Sequence, residues 1–255
     1  MICFPNAKIN LGLHILSKRT DGYHNIETVF YPVINLCDAL EILPVEKGKT
    51  AFFQTGITID GKPEDNIVIK AYNLLKKDFE LPEITIYLRK EISIGAGLGG
   101  GSSDAAFMIK LLNDFAGLKL SIEQMEAYAR QLGADCPFFI QNKPVFSEGI
   151  GDIFSLVNIS LQAYNIIIEK PPVSVATKEA YAQVKPQQPV VPLKEIISMP
   201  VNEWKNHLIN DFEPGVFAQY PEIMEIKQRL YAEGALYASM SGSGSAVFGI
   251  FKRQL

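Results

Sequence analysis

Gly95-Ala96-Gly97-Leu98-Gly99-Gly100-Gly101-Ser102-Ser103 follows a stretch, Glu83–Arg89, that alternates as a strand does, and precedes a run that turns into a helix ending at Gly117. The order is strand, glycine loop, helix. Without side chains in the way, the backbone N–H groups of such a loop converge, and the following helix offers unpaired N–H groups and a partial positive charge to a phosphate. Either Ser102 or Ser103 is placed to cap that helix, and either hydroxyl has the reach for a phosphate or a magnesium ion. Gly95, Gly97 and Gly100 formally satisfy the dinucleotide fingerprint G-x-G-x-x-G. The preceding strand, however, alternates instead of being apolar on both faces, and no acidic ribose ligand follows in a βαβ unit. A Walker A loop needs lysine where Gly101 stands, so a phosphate-binding lysine must come from elsewhere.

Lys8 is the natural source. Lys8–Ile15 alternates strictly, placing Ile9, Leu11, Leu13 and Ile15 on one face and Lys8, Asn10, Gly12 and His14 on the other, as in a half-buried strand with a polar face. Asp21-Gly22 predicts a tight reversal into a second strand over 23–33, and a further strand is expected at 39–43. A helix is expected over 63–77, and another from Ser121, whose spacing to Gln124 is that of a capping box, as far as Gly133. Asp135 follows at once, in a loop able to hold a carboxylate rigidly. Further on come a strand at 164–168, a proline-rich connection at 185–192, a helix over 221–233, and strands at 236–240 and 246–251 flanking Ser241-Gly242-Ser243-Gly244-Ser245. That last segment reads either as a plain hairpin turn or as a piece of the site. Helix and strand alternate without a repeat, so the fold class is α+β with mixed sheets, with a domain boundary near residue 155 separating 1–155 from 156–255.

The bulk composition excludes other classes. With 255 residues, 47% apolar, 20% charged and a net charge of −4, nothing marks a nucleic-acid surface, a polybasic membrane contact or a disordered tail, so an anionic ligand has to be held by local dipoles. Cys3, Cys37 and Cys136 lack the close spacing of a zinc or redox pair, which predicts a reduced, cytoplasmic protein. Cys136 is expected to pack in the interior, and Trp204 to cover a core edge. The start, Met1 to Asn10, has no export signal, no stretch is long and apolar enough for a membrane span, and no residue set stands out as a metal site.

Taken in order, PNAKINLGLHI, RTDGYHNIETVF, GAGLGGGSSDAA, GADCPFF, NDFE with YPEI, and SGSGSAVFG resemble the GHMP kinases over nearly the whole chain. The DGYH and GADCPFF segments point to the branch of that family acting on a cytidine diphosphate compound. The resemblance implies a two-domain fold, an N-terminal ribosomal-protein-like β-α domain and a C-terminal ferredoxin-like α/β sandwich. It also implies that ATP, with Mg²⁺, phosphorylates the 2-hydroxyl of 4-diphosphocytidyl-2-C-methyl-D-erythritol, a step in non-mevalonate isoprenoid synthesis. By position, Lys8 and Asp135 look like the catalytic pair, with Asn10 on the substrate side. Tyr23 and His24 look like the cytosine readers, the first by stacking and the second by hydrogen bonds to the base edge. Thr177 and Tyr181 match positions flanking the cytidine, where phenylalanine is commoner at the latter. Gly95, Ala96, Gly97, Leu98, Gly99, Gly100, Gly101, Ser102 and Ser103 should cradle the ATP phosphates, and Asn66 resembles a residue on the adenosine side. Ser93 stands where the family usually has a proline, so a shift in nucleotide affinity is expected without loss of function.

Overall fold

The computed structural model describes residues 1–46 and 48–253. In chain order the strands are β1 (Ile2–Cys3), β2 (Asn6–Lys18), β3 (His24–Cys37), β4 (Ala39–Pro44), β5 (Ala51–Gly56), β6 (Ile84–Lys90), β7 (Val145–Glu148), β8 (Ile153–Leu156), β9 (Tyr164–Glu169), β10 (Tyr237–Met240) and β11 (Val247–Lys252). The helices are α1 (Ile67–Lys76), α2 (Gly100–Phe115), α3 (Ile122–Arg130), α4 (Phe138–Gln141), α5 (Thr177–Gln183), α6 (Leu193–Ile197), α7 (Glu213–Gln219) and α8 (Pro221–Ala232). Packing divides the chain into two compact units. One takes Met1–Ala7, Pro32–Ile94 and Gly99–Lys143; the other takes Lys8–Tyr31, Gly95–Leu98 and the chain from Pro144 on.

The first unit is built on a sheet of order β1-β4-β6-β5. β4 runs antiparallel to β6, with Leu40 opposite Leu88 and Ile42 opposite Ile86, whereas β5 lies parallel to β6. The period of two in β6 is visible in its burial: Ile84, Ile86 and Leu88 are buried, and Tyr87 and Arg89 face solvent. Helix α1 packs against α2, which inserts Ala105, Met108, Ile109 and Leu112 into the core. Each large side chain buried in this way contributes about 1.5–3 kcal/mol.

The second unit holds the greater part of β2 and β3, ordered β2-β3-β7-β8, and an antiparallel sheet of order β10-β11-β9. Helix α8 lies on β10 and β11, where Ile223, Ile226 and Leu230 meet Ala238, Met240 and Val247. Leu13 and Ile15 join the same cluster. Trp204 is fully buried, deeper than the core edge expected for it, and its indole N–H donates to the Met199 carbonyl at 2.9 Å.

Several local expectations are corrected. The helix expected over 63–77 is a 3₁₀ turn at Pro63–Asp65 followed by α1, because the Asn66 side chain accepts the Val68 N–H and starts the helix there. Neither Ser102 nor Ser103 caps α2. The helix begins inside the glycine run, with Gly99 as N-cap at φ +69, a left-handed conformation that costs glycine little, and both serines fall in the first turn. The strict alternation of β2 breaks at Gly12, whose φ of +67 is the conformation of a bulge glycine, and the strand is buried on both faces from Asn6 to Ile15. The reversal at Asp21-Gly22, the capping box of Ser121 and Gln124, and the hairpin of β10 and β11 stand as expected.

Candidate active site

Lys8 lies in the second unit, on β2, and is only 4% exposed. A buried ammonium needs acceptors. Its Nζ donates to Asn10 Oδ1 at 2.6 Å and stands 4.7 Å from the centre of the Phe30 ring. The Asn10 amide donates to the Thr28 hydroxyl at 3.0 Å, and that hydroxyl donates to the Gly12 carbonyl at 2.5 Å. The backbone N–H of Asn10 donates to Ser241 Oγ at 3.2 Å, which ties β2 to the glycine-serine segment.

The first half of the glycine loop belongs to the same unit and is pinned through its carbonyls. Lys8 N–H donates to Leu98 O at 2.9 Å, Ala246 N–H to Ala96 O at 3.1 Å, and the Ser241 hydroxyl to Gly97 O at 2.8 Å. Gly97 has φ +78, and a Cβ there would lie 1.9 Å from the Ser241 carbonyl oxygen, so backbone meets backbone with no room between. The Ser241–Ser245 segment is thus both the turn between β10 and β11 and a direct packing partner of the glycine loop. The segment is held in turn by Asn210, whose Nδ2 donates to both Met240 O and Gly242 O at 2.8 Å while its Oδ1 accepts the Phe212 N–H. The family pattern includes Asn210 but gives it no role. Nothing local reveals one, because its partners lie some thirty residues on in the chain.

The second half of the loop opens α2 in the first unit. Below it sits a buried ionic cluster: Lys90 donates to Asp38 and, at 2.7 Å, to Asp104, and Asp38 also accepts the N–H groups of Glu91 (2.6 Å) and Ile92 (2.9 Å). The chain entering the loop and the helix leaving it are thus fastened to the same charges. Burial pushes the Asp104 carboxyl up to about 8, the Lys90 ammonium opposing this and Asp38 adding to it. The Ser103 Oγ is buried without a hydrogen-bond partner. Asp135 sits half-buried in the turn between Gly133 and α4, next to Cys136, whose thiol is pushed up to about 11 chiefly by burial, as suits a packing role. Asn66 lines a cavity of about 350 Å³ in the first unit together with Phe52, Gln54, Gly56, Thr58 and Pro63.

All four expected cytidine residues lie in the second unit. The rings of His24 and Tyr181 stack at 4.7 Å and 19°, and Thr177, one turn before Tyr181 on α5, bonds Ser243 through its hydroxyl at 3.2 Å. Tyr23 is 61% exposed. Partial burial, with Lys18 nearby, holds the His24 imidazole below its usual pKa.

A strand feeding a glycine loop, a helix starting within that loop and a buried lysine are the parts of a small-molecule phosphotransferase. The model for the GHMP kinases N terminal domain matches residues 66–143, and that for the GHMP kinases C terminal domain matches 200–255. Curated relatives include the 4-diphosphocytidyl-2-C-methyl-D-erythritol kinase of Azobacteroides pseudotrichonymphae, 59% identical over 99% of this chain and 94% of the relative. That of Bacteroides thetaiotaomicron is 60% identical over 99% and 92%. A crystal structure of 4-(cytidine 5'-diphospho)-2C-methyl-D-erythritol kinase superposes with a TM-score of 0.84 at 31% identity, covering 98% of this chain and 90% of the other. The chain therefore belongs to the 4-diphosphocytidyl-2-C-methyl-D-erythritol kinase family of ATP-dependent GHMP kinases, with the two-domain fold that family shares.

Proposed function

We propose that this kinase phosphorylates the 2-hydroxyl of 4-diphosphocytidyl-2-C-methyl-D-erythritol with ATP, in the non-mevalonate route to isoprenoid precursors. The observation that carries the mechanism is the fixed ammonium of Lys8, held by Asn10 Oδ1 at 2.6 Å on the strand whose Lys8 N–H anchors the glycine loop at Leu98. Phosphoryl transfer asks for positioning and charge neutralisation more than covalent chemistry. The main-chain amides from Gly95 to Ser103 hold the polyphosphate of ATP. Asp135 takes the proton of the acceptor hydroxyl, and Lys8 offsets charge on the transferring group. The cavity beside Asn66 accommodates the adenosine.

Mg²⁺ would arrive on the phosphates of ATP and need only a hydroxyl from the protein. The hydroxyl of Ser102 or Ser103, the latter buried without a hydrogen-bond partner among the described residues, would hold such an ion, which would supply charge neutralisation on the phosphates. Tyr23 stacks on the cytosine and His24 reads its edge, with Thr177 and Tyr181 flanking the nucleoside and Asn10 on the substrate side. We place the boundary between the two domains near residue 155, consistent with family-model matches that end at 143 and resume at 200. The described helices include none long and apolar enough to cross a membrane. A cytoplasmic location is the reading that the enzyme's unpaired cysteines support.

Asp135→Asn tests the mechanism: kcat should fall by about 10²–10⁴, the usual contribution of a general base, with ATP affinity near that of the wild type. Unchanged turnover would remove the aspartate from the reaction.

A further inference from the structure

We propose that Thr28 is a positioning residue for phosphoryl transfer, fixing the Lys8 ammonium by dictating which way the Asn10 amide points. The inference rests on the catalytic reading of Lys8 given above. Thr28 is on β3 and fully buried; Asn10 is 3% exposed and Lys8 4%, so none of the three has bulk water as a fallback partner.

A threonine hydroxyl has one proton to give and lone pairs to receive with. The Gly12 carbonyl, 2.5 Å from Thr28 Oγ1, accepts only, so the proton goes there. What Thr28 offers to Asn10, 3.0 Å away, is then a lone pair, and Asn10 must answer with its NH₂. That leaves Asn10 Oδ1 facing Lys8 Nζ at 2.6 Å. Turning the amide over would set an NH₂ against an ammonium and strip an acceptor or a donor of its partner in a buried place, which is costly. The identity of one side chain on β3 thereby sets the polarity of the contact that holds the lysine on β2.

The hydroxyl touches neither ligand in this scheme. Its loss leaves the Asn10 NH₂ without its buried acceptor and the amide less firmly held against Lys8, and the cost falls on the step in which Lys8 meets developing charge, that is, on kcat and not on ATP binding.

The test is a kinetic cycle on the full-length enzyme, following ADP release with 4-diphosphocytidyl-2-C-methyl-D-erythritol and recording melting temperatures alongside. Thr28→Val, close in shape but without the hydroxyl, should lower kcat roughly tenfold, the effect of one unsatisfied buried group, with KM for ATP within about twofold. Thr28→Ser should recover most of the loss. In an Asn10→Ala background, Thr28→Val should cost nothing more, since no amide is left to orient. Should valine prevent folding, Thr28→Ala carries the same cycle. A Thr28→Val loss that multiplies with that of Asn10→Ala, a Thr28→Ser variant as poor as Thr28→Val, or no loss at all overturns the proposal. Lys8→Ala separates it from the reading beneath it: turnover surviving that change removes the role of Lys8 itself, whereas a dead Lys8→Ala beside an additive cycle overturns only the part assigned to Thr28.

Discussion

Gly97→Ala concentrates the argument about the loop into one methyl group. At φ +78 an L-residue pays about 1–2 kcal/mol for the left-handed conformation. The new Cβ would also lie 1.9 Å from the Ser241 carbonyl oxygen, so one backbone segment has to retreat by roughly 1.5 Å to reach ordinary contact. Such a retreat breaks the Ser241 hydroxyl bond to Gly97 O and strains the Ala246 bond to Ala96 O, each worth about 0.5–1.5 kcal/mol. Together these reach about 3 kcal/mol, or on the order of 10²-fold in ATP affinity if the loop is what grips the phosphates. Gly95→Ala is the control. Its φ is +61 but an added Cβ meets nothing within 4 Å, so only the conformational cost applies, about 5–30-fold. Calorimetric titration of ATP into both variants, with melting temperatures to confirm folding, separates them. Equal affinities in the two variants, or wild-type affinity in Gly97→Ala, would refute the account of a loop set by its contact with Ser241.

Other expectations follow from the same geometry. Tyr23→Ala should raise KM for the cytidine substrate by about tenfold, the loss of one base–aromatic stack, with ATP binding unchanged; weakening of both ligands alike would point to misfolding instead. Asp104 gives a pH signature. An unfolded aspartate loses its proton near pH 3.8, whereas the folded one keeps it to about 8, so the fold holds an extra proton across that window. Stability contributed by this group is complete below the lower value and lost as pH rises through the upper one. Asp104→Asn should flatten that decline, gaining on the wild type between about pH 4 and about pH 8 in melting experiments, and a constant difference across that range would argue against a protonated Asp104.

How much was legible in the sequence depended on distance along the chain. The capping box at Ser121 and the reversal at Asp21-Gly22 are short-range patterns, so periodicity and turn chemistry found them. Lys8 was legible as an unusual lysine in an apolar strand, and the glycine loop as the link between a strand and a helix. The start of α2 at Gly100 was not, because a serine cap is the commoner solution and only the left-handed Gly99 displaces it. Contacts closed by the fold left no trace: Thr28 reads as an ordinary β-branched strand residue, Asn210 as one polar residue among others, and Lys90, Asp38 and Asp104 are separated by 52 and 14 positions. The burial of β2 on both faces was hidden likewise, since alternation in the sequence reports one covered face and says nothing of what covers the other.

Phosphorus NMR of the reaction of this enzyme with Mg²⁺-ATP and 4-diphosphocytidyl-2-C-methyl-D-erythritol, with ADP release followed in parallel, bears most directly on the central claim. One phosphomonoester signal should appear per ADP, coupled to the carbon that bears the 2-hydroxyl, and Lys8→Ala and Asp135→Asn should each suppress it. ADP formed without that signal, or the signal persisting at full rate in both variants, would contradict the assignment.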